Sequence, residues 1–368
     1  DEVLRRELRQ TEGGWVSTKD LDRSKTRLQR LDYLESVNVE TAPVAGTNDQ
    51  VDVNYTVVER SSGSLMFGVG YGQESGLLLN VSLTQNNFLG TGNQFGLIFN
   101  NSDVGQNYSV SFNNPYYTLD GVSLGFRLYY RDIDNSELNT ADYIQNLFGG
   151  QVNFGFPLNE TDTLRLSPGY EHVWFDTTAT TPTEITDYLR ENGDSFDLFK
   201  LDAGWARDTR DRAFFPTSGS LNQIAAEIAL PGSTAEFYKL NLRSVFYFPF
   251  ARWLTWSLGG EVGYGDGYGD TGALPFFENF YAGGLRTVRG YKSNTLGPRY
   301  SNDEPSGGAF KTVASTQLIF PVPFIEKSEN VRVAAFFDIG NVYETVDEFD
   351  VGDLRYSVGL AGTWISPF

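Results

Sequence analysis

Residues 64–72 read SLMFGVGYG, and every second residue is large and apolar. Leu65, Phe67, Val69 and Tyr71 fall on one side, Met66, Gly68, Gly70 and Gly72 on the other. Successive side chains of a strand point to opposite faces, so this stretch is a strand with one apolar face and one nearly bare face. The same period recurs at 77–83, 94–99, 108–112, 122–130, 151–156, 164–174, 198–205, 224–230, 238–248, 254–264, 312–320, 331–338 and 354–364. With the weakly patterned 143–148 joined to its neighbour, about fourteen strands are predicted, many near the ~10-residue span of a tilted transmembrane strand. From Ser64 onward the pattern predicts strands only.

The connections point the same way. Short turns such as NNFLGTGN (86–93), NPYYTLDG (114–121), FPLNET (156–161) and FPFAR (248–252) come between long polar loops such as 177–195 and 265–308. Short turns on one side and long loops on the other mark an outer-membrane barrel, whereas a soluble sandwich has no reason to segregate them. The predicted fold class is an all-β transmembrane barrel preceded by a small α+β domain.

Composition excludes several functions. The 368 residues carry a formal charge of −19, and a polyanionic backbone is bound through clustered Lys and Arg, so nucleic acid is not an expected partner. The absence of cysteine removes disulfides, thiolate nucleophiles and Cys-ligated zinc. No stretch approaches the ~18 consecutive apolar residues of a transmembrane helix. A mean hydropathy of −0.32 does not count against a membrane location, because only one face of each barrel strand meets lipid. Residue 1 already lies in a helical pattern with no signal peptide before it, so the chain is expected to be a processed form or a piece of a larger protein.

Residues 1–62 have a different pattern. Glu2–Gln10 predicts a short helix with Val3, Leu4 and Leu8 inward. Ser17-Thr18-Lys19-Asp20 fits a capping box, in which a hydroxyl and an acid three residues on satisfy free amides reciprocally. The helix it opens is expected to run to about Leu34 and to bury Leu21, Leu28 and Leu31. Two alternating strands follow, Ser36–Thr41 and Val51–Glu59, the second with Val51, Val53, Tyr55 and Val57 on one face. Helix–helix–strand–strand resembles the end of a polypeptide-transport-associated (POTRA) domain. That family's opening strand would lie before residue 1.

One run breaks the strand period: ENFYAGGLRTVRGYKSNTLGP, residues 278–298. Gly283 and Gly284 permit the backbone to turn back, so the run reads as a loop returning into the structure with Arg289 at its centre. A guanidinium inside a barrel must be paired, since an unpaired buried charge costs several kcal/mol. In 331–338, parity puts Val331, Val333, Ala335 and Phe337 on one face and Arg332, Ala334, Phe336 and Asp338 on the other. The first set suits lipid, so Asp338 is expected to face the lumen within reach of Arg289.

NNFLGTGN, NPYYTLDGVSLGFRLYY (114–130), FFPTSGS (214–220) and the 278–298 run resemble, in order and spacing, the BamA family of outer-membrane protein assembly factors in the POTRA-plus-barrel superfamily. With the POTRA remnant the resemblance covers essentially the whole chain, divided as 1–62 and 63–368. The loop alone is also compatible with the related translocation and assembly module or a two-partner secretion transporter. The family barrel has sixteen strands and about fourteen are counted here, so the last strands are expected to be missing. Phe368 is not taken for the family's aromatic C-terminal signature. The family also places an acid at the position of Gln317, here an amide, which leaves Asp338 as the expected partner of Arg289.

The resemblance implies an insertase of the bacterial, Gram-negative outer membrane, with its POTRA domain in the periplasm, that folds other barrel proteins into the membrane without nucleotide. It implies a clamp at Val288, Arg289, Gly290, Tyr291 and Asp338. It implies a lateral gate on the first barrel strand, at Phe67, Gly68, Val69, Gly70, Tyr71 and Gly72, where substrate strands would be templated. Implied partners are unfolded outer-membrane barrel proteins, outer-membrane lipid and accessory lipoproteins, the last near Arg5, Arg9 and Glu12. A passive porin-like channel is the alternative from another class, and it needs neither a POTRA domain nor the Arg289 loop. GVGYG lies within a strand and GYGDGYGD has no tandem partner, so neither reads as a phosphate or calcium loop. His172, the only histidine, shares a face with Tyr170 and Trp174 and reads as interfacial. No catalytic set, cofactor site or metal cluster is expected.

Overall fold

The computed structural model describes residues 2–29, 31–72, 76–251, 253–322 and 330–365. Residues 366–368, including Phe368, lie outside them. The first unit has a short helix α1 (Glu2–Arg5), a longer helix α2 (Thr18–Gln29) and an antiparallel pair, β1 (Leu34–Pro43) and β2 (Val51–Glu59). Fourteen further strands follow, β3 (Gly63–Gly72) through β16 (Arg355–Trp364), each antiparallel to its sequence neighbour in one sheet. No described helix is long and apolar enough to cross a membrane.

α2 begins where the capping pattern places it, but only one arm of the box forms. The Asp20 amide donates to the Ser17 hydroxyl at 3.3 Å, while the Ser17 amide donates to Gln10 Oε1 at 2.9 Å. The expected helix at residues 2–10 shortens to α1, because the chain turns after Arg5 to bring Leu8 inward. α2 does not run on to Leu34, which instead opens β1. Leu28, Tyr33, Leu34 and Val37 form the core of this unit, with Val3, Leu4, Leu8, Leu31, Tyr55 and Val57 packed around them.

The unit docks against tight turns at one end of the sheet. Arg27 Nη2 donates to Glu7 at 2.9 Å and to the Tyr116 hydroxyl at 2.8 Å, and Tyr116 donates in turn to Glu7 at 2.9 Å. The Arg6 guanidinium lies 4.6 Å over the Tyr116 ring. Burial, and then the Glu7 carboxylate, push the Tyr116 phenol above its ordinary pKa. These contacts join the 114–121 turn to α1 and α2.

Parity sets the two faces of the sheet. On β12 (Phe237–Ala251), Tyr238, Leu240, Leu242, Phe246 and Phe248 are exposed on the outside, while Lys239 and Asn241 line the inside. Similar apolar belts on the other strands suit lipid. The sheet curls so that the 268–309 connection, between β13 (Leu254–Gly267) and β14 (Phe310–Pro321), packs on strands well away in sequence. Its Phe276 packs edge-on against Tyr143, the first residue of β8 (Tyr143–Pro157), at 5.3 Å between ring centres. The weakly patterned 143–148 is thus part of β8.

Two expectations about the sheet need correcting. The 177–195 connection is not free of helix: α3 (Thr183–Asn192) occupies it, entered from Pro182 and ended by Gly193 at φ +92°. Ile185 and Leu189, one turn apart, bury against Phe196 and Phe276, which makes a ten-residue helix stable in a polar loop. Connections also do not alternate in length throughout. β5 (Asn93–Ser102) pairs with β6 (Gly105–Asn114) through the two residues Asp103 and Val104, and the long outer loops begin only after β7 (Ser123–Asp134).

Candidate functional site

The 268–309 loop enters the lumen and folds back on itself. Gly283 and Gly284 have φ of +106° and +89°, which residues with a Cβ rarely adopt. A Cβ on Gly283 would also lie 2.4 Å from the Lys292 carbonyl oxygen. The Gly283 amide donates to Thr287 Oγ1 at 2.8 Å, and that hydroxyl returns a bond to the Gly283 carbonyl at 2.8 Å. This knot directs residues 288–291 toward β14 and β15 (Val331–Tyr343).

Val288 is fully buried with Ala282, Leu296, Val313 and Val342. Arg289 Nε donates to Asp338 Oδ2 at 2.7 Å and Nη2 to Asp338 Oδ1 at 2.6 Å, a bidentate fork. Nη1 reaches Gln317 Oε1 at 3.2 Å and Nη2 also reaches Ser315 Oγ at 3.1 Å. The Arg289 backbone amide donates to the same carboxylate at 3.1 Å, and Ser315 adds a bond at 2.7 Å. The guanidinium stacks 3.7 Å over the Phe336 ring. The Asp338 side chain is 0% exposed, so full hydrogen bonding is what makes a carboxylate tolerable there. Gly290, at φ +88°, carries the chain on to Tyr291, whose hydroxyl donates to the Tyr356 carbonyl of β16 at 3.3 Å.

Sequence reasoning singled out neither Ser315 nor Phe336, although the period of two puts both on the lumen face. Nor did it single out Glu278, which bonds Lys239 Nζ at 2.7 Å and lies 3.6 Å from Lys200. Nothing local signals these pairs, because they join positions about 40 to 80 residues apart across a curled sheet.

β3 is the other region of interest. It is one edge of the sheet and β16 is the other; among the described residues, neither pairs on its outer side. Phe67, Val69 and Tyr71 are strongly exposed, Tyr71 at 82%. Gly68 and Gly70 face the lumen opposite Asn80 and Leu78 on β4 (Gly76–Phe88). A Cβ there would meet neighbours only at 3.5 and 3.8 Å, which is ordinary contact. These glycines are therefore not demanded by close packing. Gly72 ends β3, paired with Gly76.

Arg5 and Glu12 form an exposed pair at 2.7 Å on the first unit. Arg9 lies beside them, its side chain reaching the Arg6 and Leu8 carbonyls at 3.4 Å. Trp15, nearby in sequence, is 97% exposed. His172 lies on the outer face against Asp197 at 2.8 Å, with Trp174 5.5 Å from its ring.

Residues 87–368 match the Omp85 superfamily domain, and residues 1–60 match the POTRA model described as a surface antigen variable number repeat. The chain belongs to the Omp85 superfamily. Its resemblance to one branch is close: it is 38% identical to the outer membrane protein assembly factor BamA of Neisseria meningitidis, over 100% of this chain and 51% of that protein. The BamA structure from Haemophilus ducreyi lacking POTRA domains 1–3 superposes with a TM-score of 0.83 at 33% identity, covering 100% of this chain and 76% of that one. CdiB from Escherichia coli shares the fold, with a TM-score of 0.60 at 17% identity over 98% of this chain and 67% of its own. This Omp85 chain spans about half the length of the curated relatives it matches. It is an outer-membrane barrel with its POTRA region in the periplasm.

Proposed function

We propose that this Omp85 chain is the working end of an insertase that folds and inserts β-barrel proteins into the outer membrane. The observation that carries the reading is β3, which among the described residues is an edge strand of the sheet and whose lumen face has almost no side chains. Unpaired amides in hydrocarbon cost several kcal/mol each, so such an edge takes up any strand that supplies partners. A substrate strand adding there gains main-chain hydrogen bonds and is templated in register. Exchange at a glycine face costs less than at an interior seam, because little cross-strand packing is lost. The driving force is the substrate's burial of its own apolar strands in lipid, and no nucleotide is required. Close resemblance to proteins named as assembly factors supports this reading. Arg5, Arg9 and Glu12 form the surface where an accessory lipoprotein docks on the POTRA unit, and the exposed Trp15 lies three residues further along the chain.

These 368 residues contain no cysteine, so introduced thiols are the only ones in this part of the protein. In the full-length protein engaged with a stalled substrate, Gly68→Cys or Gly70→Cys is expected to form disulfides with cysteines in the substrate's terminal strand. Leu124→Cys and Phe126→Cys on β7, an interior strand, are expected not to. Equal crosslinking at both places, or none at β3 while assembly proceeds, would remove the gate.

A further inference from the structure

The loop has a second charged contact, far from Arg289. At its entry, Phe276 and Phe277 sit in the aromatic cluster with Tyr143, Phe175 and Phe196, and Glu278 follows directly. Glu278 Oε2 accepts from Lys239 of β12 at 2.7 Å, and its Oε1 lies 3.6 Å from Lys200 of β10 (Ser195–Asp208). Lys200 also bonds Glu171 of β9 (Asp162–Thr177) at 3.1 Å and meets Glu227 of β11 (Gly219–Ala229). Tyr129 of β7 closes the network on Glu171 at 2.5 Å. The side chains of Lys200, Lys239 and Glu278 are only 12%, 20% and 14% exposed.

Lys200 has carboxylates on the wall. Lys239 has Glu227 opposite it on β11, and among the described residues its ion pair within 4 Å is to Glu278, which the loop brings to it. A buried ion network of this kind adds little net stability over apolar residues of the same volume, and its best-attested use is to fix register. Removing Glu278 leaves the Lys239 ammonium with only Glu227, its register partner on β11, to answer its charge, and takes one carboxylate from a network that holds two buried lysines.

We propose that Glu278, held by Lys239 and Lys200, is a positioning residue that sets the loop's entry point so that Arg289 arrives at Asp338. The loop is then a strut pinned at both ends, on β10–β12 and on β14–β15. Among the described residues β3 and β4 carry no such pin, which leaves them free to exchange partners. The functional half rests on the insertase reading above; the placement of the loop does not.

Two readouts in the full chain separate these halves. Arg286 sits exposed at the loop tip, so a spin label at Arg286→Cys, paired with one at Leu240→Cys on the lipid face of β12, reports loop position. Glu278→Gln and Lys239→Gln should each broaden that distance distribution about twofold and slow assembly of substrate barrels about tenfold, as coupling through a packed network does. Glu278→Lys combined with Lys239→Glu should restore a narrow distribution, which a merely space-filling role would not. Unchanged distributions in both single variants overturn the anchor, as does failure of the swap in a barrel that still folds. A broadened distribution with normal assembly keeps the anchor and removes the loop's part in insertion.

Discussion

The two walls of the lumen follow one rule of alternation and come out opposite in character. Along β14 and β15 the inward positions are Lys311, Ser315, Gln317, Phe336 and Asp338, and the loop fills the space between them. Along β3 and β4 the inward positions are Met66, Gly68, Gly70, Asn80 and Ser82, and no loop residue bonds to them among the described contacts. Period two decides only that a side chain points inward. Whether that inward face becomes fixed or exchangeable depends on what it offers the loop. A buried carboxylate recruits and holds an arginine; a glycine face recruits nothing.

The sharpest way to break this comparison is at the pinned wall. Arg289→Glu places a second acid beside Asp338, and losing one partner of a buried pair costs about 3–5 kcal/mol. Assembly by the full-length protein should fall most in this variant. Adding Asp338→Arg should restore part of it, with a measurable coupling term. If the double variant is no better than the sum of the singles, Asp338 is not the partner that matters.

The next effect is conformational. Gly283→Ala forces a Cβ to 2.4 Å from the Lys292 carbonyl oxygen at a φ of +106°. Strain of that kind costs about 1–3 kcal/mol. Faster hydrogen exchange over residues 281–296 in detergent-solubilised protein is the expected sign. Exchange at the wild-type rate would mean that the turn does not depend on this glycine.

The smallest effect belongs to the unpinned wall. At Gly68 a Cβ meets only Asn80, at 3.5 Å, and the backbone is ordinary strand. Gly68→Ala should therefore leave stability unchanged or raise it by about 0.4–1 kcal/mol through the unfolded state. The thermal midpoint of the purified barrel measures this directly. A loss as large as that of Gly283→Ala would show that the β3 face is as tightly packed as the clamp, and the contrast between the walls would disappear.

Much was legible because it is local. Alternation in Ser64–Gly72 and its successors yields the number of strands, and Asp338 could be assigned to the lumen from its own strand alone. The start of α2 was written in Ser17 and Asp20. α3 is not predicted by the sequence pattern, because it is short and its stability comes from burying Ile185 and Leu189 with Phe196 and Phe276. Propensity alone does not hold a helix of ten residues, so local sequence predicts a loop where tertiary packing makes a helix.

By itself the sequence determined which faces meet lipid and that one arginine would need a partner inside. These follow from backbone periodicity and from the cost of an unpaired charge, which act residue by residue. Only the tertiary structure decided that Glu278 would find Lys239 and Lys200, and that Phe336 would lie under Arg289. Those facts depend on how far the sheet curls before the loop crosses it. Curl is a sum of small twists over many strands, and no single stretch of sequence carries that sum.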